Sequence, residues 1–383
     1  MSAPTNPSTM DVIVDRDALL AGLRGMSSVC RNSTVSILGA VHMSAADGTL
    51  RLTATDLFVS MRSTVAVKVR SAGEVVAHPS VDLGRRASSA NILREAVASL
   101  PRGEVRLRAT DEGLRVSAWK HRRAFVFAAT TVDKFPTQSW PDGAATATYD
   151  ARALRAELAR VEPFVSRVEP RAHINSILWC ADGMVATDAH RLIVAKALPL
   201  PGPAPGVLVA LQMIAVMIKA LAGAQGDVEV RVDGKNIALR VDGREVKARL
   251  VEAAFPPREK VIPETTPRGV IVSRVSLLAS LRAGASLQTR HMDQGARVTI
   301  AGGRCSVEMK SPKGAATSSF RAPDATGKGW SFAVNPRYLV DAANAVGGSK
   351  VRLADTGDDL SPIVIEAPGG GDVLTVTMPY RVS

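Results

Sequence analysis

The feature that most constrains this chain is a turn that recurs at a fixed interval. Asp111-Glu112-Gly113, Asp233-Gly234 and Asp355-Thr356-Gly357 begin 122 residues apart in both steps. Each follows a run that alternates apolar and charged residues: Val105-Arg106-Leu107-Arg108, Val228-Glu229-Val230-Arg231 and Val351-Arg352-Leu353. Alternation with period two marks a strand buried on one face, and Asp-Gly-type turns join such strands into hairpins. Phe135-Pro136, Phe255-Pro256 and Met378-Pro379 close β-rich stretches at nearly the same interval. A repeat of this length implies three similar units, each of roughly the size that supports one core.

A second hairpin design occurs twice. Ala46-Asp47-Gly48 leads through Leu50-Arg51-Leu52-Thr53 to Ala54-Thr55-Asp56, and Ala181-Asp182-Gly183 leads to Ala186-Thr187-Asp188-Ala189-His190-Arg191-Leu192. Helical stretches fall two to a unit: Asp15–Ser27 and Val81–Leu100, Asp150–Val165 and Leu211–Ala222, then Val275–Leu287 and Pro336–Val346. Leu154, Leu158, Val161 and Val165 have the spacing of a one-sided apolar stripe, and Gly223 and Gly347 stand where helices stop. Linker composition at 139–143 and 263–267 divides the chain into 1–145, 146–264 and 265–383. The fold class is therefore α+β, with three domains of paired helices and antiparallel sheets.

The catalytic motifs are missing. There is no glycine-rich phosphate loop, His-Glu-x-x-His or nucleophile elbow, and the six histidines are scattered. No catalytic residue, metal site or cofactor is expected. Cys30, Cys180 and Cys305 have no paired spacing and read as small buried residues. Asp188 and His190 would make half of a hydrolytic dyad, against which stands the plainer reading of a polar hairpin edge. Residues 1–10 lack the basic start and apolar core of a signal peptide. The apolar stretch Gly206–Ala224 is interrupted by Gln212 and Lys219 and fits strand plus helix better than a membrane span. A cytoplasmic protein without membrane contact is expected.

Net charge points to a polyanion. The chain has 48 Lys+Arg against 36 Asp+Glu, a formal +12. Many arginines fall on the helical stretches, among them Arg16, Arg85, Arg94, Arg152, Arg155, Arg160, Arg282 and Arg337. On one helix this would be a solvated face; on several it reads as a common surface facing phosphate. Aromatics make up only 4% of residues, which gives no support to base stacking. Arg85, Arg152 and Arg155 are the helical candidates for holding a phosphate backbone without reading sequence.

Taken together, the chain resembles the bacterial DNA polymerase III beta subunit family, the β sliding clamps. Thr187-Asp188-Ala189-His190-Arg191-Leu192 resembles the family's Thr-Asp-Gly-His-Arg-Leu, and Met378-Pro379-Tyr380-Arg381-Val382 resembles Met-Pro-Met-Arg-Leu. Asn175-Ser176-Ile177-Leu178 and Phe255-Pro256, with Val261-Ile262-Pro263, resemble two further segments in the same order. The resemblance implies a head-to-tail homodimeric ring with helices inside, which encircles double-stranded DNA and tethers the polymerase as a processivity factor. It implies a peptide pocket for the polymerase III catalytic subunit, the clamp loader and repair proteins. That pocket would comprise Ile174, Thr187, His190, Arg191, Leu192, Pro256, Val261, Val376, Met378, Pro379 and Arg381. It further implies DNA-touching loops at Arg31, Arg171 and His173, and a dimer interface at Phe125, Phe127 and Leu287.

The departures are Ala189 for glycine, Pro257 after Phe255-Pro256, Lys260 where the family often has arginine, and Tyr380 for methionine. The net basic charge also departs from a family that is usually acidic. It leaves open a specialised or phage-like clamp paralogue, and, outside the family, an architectural DNA-binding protein that forms no ring.

Overall fold

The computed structural model describes residues 10–30, 36–77, 89–119, 122–130, 132–136, 140, 146–168, 171–201, 206–264, 266, 268–284, 295–312, 314–326, 329–357 and 361–379. Its helices are α1 (Arg16–Gly22), α2 (Ser89–Ser99), α3 (Ala151–Val161), α4 (Leu211–Ala220), α5 (Arg274–Ala283) and α6 (Pro336–Val346). They fall two to each third of the sequence, as the periodicity predicts.

Local chemistry sets their ends. The first helix of each third starts on a capping side chain. Asp15 accepts from the backbone N–H of Asp17 and Ala18, Asp150 from Ala153, and Ser273 from Ser276. Most of the helices are shorter than the apolar pattern alone predicts. Past α1, Gly25 takes the left-handed conformation at φ 87° and a 3-10 turn, Met26–Ser28, follows. The stretch predicted to run to Val165 leaves α geometry at Glu162–Phe164, because Pro163 disfavours helical backbone at the residue before it and lacks an N–H. α6 runs the full predicted span: Asn335 caps its start, Pro336 opens it, and Gly347 ends it at φ 74°. For the predicted Val81–Leu100 helix, residues 81–88 lie outside the described set.

By packing, the chain forms two compact units: residues 1–155 with 212–250, and residues 156–211 with 251–383. The reason is sheet pairing across the sequence repeat. In the first unit, Val59–Ala66 pairs antiparallel with Arg244–Arg249, which joins strands of the first and middle thirds into one nine-stranded sheet. In the second, Arg191–Ala195 pairs with Val373–Thr377 and joins the middle and last thirds into an eight-stranded sheet.

Each unit also has a smaller sheet. That of the first has five strands and ends on Ala124–Phe127; that of the second has four and ends on Gly314–Arg321. Helices cover one face. A β-carbon added at Gly22 of α1 would meet Val65 and Leu52 at 2.6 and 3.2 Å, so glycine lets the helix lie close on the sheet. The residues below, Leu50, Leu52 and Met61, are fully buried, each contributing about 1.5–3 kcal/mol. Within the second unit, Leu178, Val185, Leu192, Val194, Val364 and Val376 form one buried cluster, with Phe255 and Ile262 packed against it.

All three cysteines are free and buried. Burial pushes the Cys30 and Cys305 thiols up to about 12, so neither is a reactive thiolate at neutral pH. Among the described residues no group of His, Cys, Asp and Glu could hold a metal ion, and no helix is long and apolar enough to cross a membrane.

Candidate functional site

The Thr187–Arg191 turn is built by its own side chains. Thr187 Oγ donates to the Arg191 carbonyl at 2.7 Å and accepts from the Ala189 N–H at 3.2 Å. Asp188 Oδ1 accepts from the N–H groups of His190 and Arg191 at 3.0 and 3.1 Å. The tip residue Ala189 is forced to φ 76°. The other Asp188 oxygen accepts from Arg191 Nε at 3.0 Å. Both carboxylate oxygens are thus engaged in holding the turn and Arg191, and Asp188 bonds the His190 backbone N–H with no bond to its ring among the described residues, the arrangement of a hairpin edge rather than of a dyad.

Arg191 itself is buried between two rings. Its guanidinium carbon lies 4.9 Å from the Phe164 ring centre and 4.4 Å from that of Tyr338. It also donates to Asp341 at 2.6 Å and to the Pro163 carbonyl at 2.5 Å. Burial raises the Tyr338 phenol above its ordinary value, so that ring stays neutral beside the cation. The His190 ring stacks against the other aromatic side of this group, 6.2 Å from Tyr338.

Strand alternation then separates the neighbours. Leu192 pairs with Val376, both in the buried cluster, while Arg191 pairs with Thr377 and turns its side chain toward Tyr338 and Asp341 of α6. Thr187, paired with Leu192, shares the Leu192 face. The Met378 N–H donates to the His190 carbonyl at 2.8 Å, bringing the end of the C-terminal strand beside the turn.

The structure therefore brings together Thr187, His190, Arg191, Leu192, Val376 and Met378 in one corner. Phe255 and Ile262 pack on its buried floor, in the segment that also carries Pro256 and Val261. Val261 and Met378 are exposed at 37% and 40%. Pro379 is half-buried next to Met378, and Ile174 is buried in the turn before strand Ser176–Cys180. Arg381 lies outside the described residues, as do Arg31, Arg85 and Leu287. Phe255 and Ile262 were legible as segment markers but not as site residues; their adjacency to Pro256 and Val261 was the available signal.

On the helices, Arg94, Arg152, Arg155, Arg282 and Arg337 are exposed, and Arg171 and His173 lie together in the loop before Ser176–Cys180. Several arginines are partly committed. Arg16 donates to the Val97 and Ala98 carbonyls at the end of α2, Arg155 to Ile218 at the end of α4, and Arg274 to Gly348 just past α6. A cation at the carbonyl end of a helix stabilises that end. The basic faces thus tie the paired helices together as well as presenting charge. Phe125 and Phe127 are half-buried on the edge strand Ala124–Phe127, opposite the buried Val116 and Leu114, while Val126 between them is 47% exposed.

Residues 10–138 match the family model for the N-terminal domain of DNA polymerase III beta subunit, and residues 154–257 match that for its central domain. The chain is similar to the beta sliding clamp of Escherichia coli (strain K12), at 24% identity over 97% of this chain and 100% of the relative. Its fold is that of a DnaN sliding clamp (DNA polymerase III subunit beta) from Bartonella birtlesii bound to griselimycin, with TM-score 0.87, 24% identity, and 97% and 100% of the two chains covered. The Thermotoga maritima DNA polymerase III beta subunit superposes with TM-score 0.86 at 22% identity, over 98% and 100%.

Proposed function

This chain belongs to the DNA polymerase III beta subunit family, and from that premise we propose how its residues do the family's work. It is a DNA sliding clamp, a processivity factor in replication whose partners are DNA and a polymerase. The finer reading is a head-to-tail homodimeric ring of three domains per subunit, 1–145, 146–264 and 265–383, that acts without a chemical step.

One observation carries the ring. Two equivalent junctions exist within the chain: Val59–Ala66 on Arg244–Arg249, and Arg191–Ala195 on Val373–Thr377. At the third equivalent position the two strands end separate sheets. Gly314–Arg321 ends the four-stranded sheet and Ala124–Phe127 ends the five-stranded one. Joined between two copies, those sheets would carry as many strands as the nine-stranded sheet already formed. Open edges with an exposed Val126 invite that pairing, and two such junctions close a ring.

A closed ring cannot leave the axis of the duplex, so its phosphate contacts can stay weak and exchangeable. Arg152, Arg155, Arg171 and His173, with Arg31 and Arg85, supply such contacts; none needs a base edge, and sliding requires that none bind one. The corner formed by His190, Leu192, Val376, Met378, Val261 and Pro256 takes a short peptide with Leu or Phe anchors from the polymerase, the clamp loader or repair proteins. Thioether and aliphatic walls suit varied anchors.

The test uses a nicked circular plasmid onto which the protein has been loaded. Retention at high salt, with loss when the circle is cut, is the expected result. Val126→Asp should sediment at the 40.3 kDa of one chain rather than twice that and should lose retention, since an unpaired charge at an apolar edge junction opposes association. Equal retention on circular and linear DNA would overturn the ring and favour an architectural DNA-binding protein.

A further inference from the structure

On the sheet face away from α1, the first unit has a cavity of about 240 Å³ lined by Arg51, Arg62, Thr64, Arg240, Gly243 and Glu245. Its floor is set by register. Arg51 stands opposite Thr64, Arg62 opposite Glu245, and Glu245 opposite Arg240. These residues alternate along their strands with the buried Leu50, Leu52, Met61, Leu239 and Val246, which places them on the other face from the helix-covered core.

The charges do not cancel. Glu245, 14% exposed, pairs with both Arg62 and Arg240, with Arg240 Nε donating at 2.6 Å. One carboxylate neutralises one guanidinium and fixes two. Arg62 is held from its other side by Trp140, whose ring centre lies 4.5 Å from the guanidinium carbon. Arg51 forms no ion pair among the described residues, and Thr64 adds a hydroxyl beside it. Gly243 closes the wall with an Asp-Gly turn at φ 69°, leaving the rim without a side chain. Three fork-shaped donors around one acid leave an excess of about two positive charges, the demand of a doubly charged oxyanion with several acceptor oxygens.

We propose that this cavity binds a small phosphate-class dianion, inorganic phosphate or diphosphate, at a site separate from the helix surface that meets DNA. Arg51 and Thr64 take one side of the anion. Arg62 and Arg240 present their remaining N–H groups from the other, pre-oriented by Glu245 and Trp140. The cavity's 240 Å³ and its three guanidinium groups leave room and donors for diphosphate.

The experiment titrates the full-length chain with sodium phosphate and with sodium diphosphate by calorimetry, at ionic strength balanced with chloride, alongside tryptophan fluorescence. Saturable binding is expected, tighter for diphosphate, with a fluorescence change that Trp140→Phe abolishes. Arg51→Gln should weaken binding at least roughly tenfold while leaving the unfolding temperature nearly unchanged, because Arg51 is exposed and forms no ion pair among the described residues. Heats that never saturate, or an Arg51→Gln variant that binds as tightly as the parent, would overturn the site. Loss of circular-DNA retention in Arg51→Gln would overturn it too, by assigning the cavity to the duplex surface.

Discussion

The turns at Thr55–Val59 and Thr187–Arg191 share one internal scaffold and differ in what they carry. In the first, Thr55 Oγ accepts from the Leu57 N–H at 3.1 Å and Asp56 Oδ1 accepts from Phe58 and Val59 at 3.0 and 2.7 Å. The second repeats those bonds one for one. Both tips sit at left-handed φ, 78° at Leu57 and 76° at Ala189. Yet the first turn ends in Val59 and exposes Leu57 and Phe58 at 49% and 66%, while the second ends in the buried Arg191. The copied part is the scaffold. The site arises from the residue that follows it and from the rings of Phe164 and Tyr338 that receive that residue.

The comparison breaks most visibly at this residue. Arg191→Ala would remove a buried cation from between two rings and leave Asp188 and Asp341 without it. Loss of about 3 kcal/mol is expected, read by denaturant unfolding, together with weaker binding of a Leu/Phe-containing peptide, because the His190 turn loses its anchor. Val59→Ala, at the matching position of the first turn, removes only aliphatic contact and should cost about 1–2 kcal/mol with peptide binding untouched. Equal losses would mean that Arg191 is an ordinary core contact.

Much of this was legible along the chain. α6 could be read from end to end, since Asn335, Pro336 and Gly347 are local signals of start and stop. The hairpins followed from Asp-Gly-type turns and alternation. The merging of thirds into shared sheets was not legible: the pairing of Arg62 with Glu245 joins residues far apart in sequence and leaves no mark on either segment. The motif likewise grouped Arg191 with Leu192. Alternation already implied that adjacent strand residues face opposite ways, but not that Phe164 and α6 would be waiting for the cation. The helical arginines read as a common surface facing phosphate; their ties to a neighbouring helix's carbonyls were not legible, because a side chain's reach has no sequence signature.

A middle-sized effect concerns the tips. A side chain at left-handed φ costs about 1 kcal/mol or more relative to glycine, partly offset by glycine's freer unfolded chain. Ala189→Gly and Leu57→Gly are both exposed changes, and each should stabilise the protein by about 0.5–1 kcal/mol in thermal or urea unfolding. Equal gains would show the two scaffolds to be energetically alike. A loss at Ala189→Gly alone would mean that the methyl supports the partner corner and that its replacement of the family's glycine is a working substitution.

The smallest effect separates the first helices of the first and middle thirds. Counted from the caps Asp15 and Asp150, Gly22 of α1 and Glu157 of α3 occupy the same position. Gly22 has no room for a β-carbon, whereas Glu157 is only 3% exposed and carries a carboxylate. One oxygen accepts from Arg160 at 2.6 Å; the other has no hydrogen-bond partner among the described residues. Burial pushes the Glu157 carboxyl above its ordinary value of 4.5, outweighing the pull of Arg160 downward. A raised acid takes up a proton more readily when folded than when unfolded, so its contribution is fully present below pH 4.5 and fades as pH rises through the folded value. Glu157→Gln keeps an acceptor for Arg160 and cannot ionise. It should therefore unfold at a higher temperature than the parent at neutral pH, by less than either tip variant, with the difference closing as pH falls toward 4.5. A Glu157→Gln variant less stable than the parent at neutral pH would show that the Arg160 ion pair outweighs the desolvation of its carboxylate.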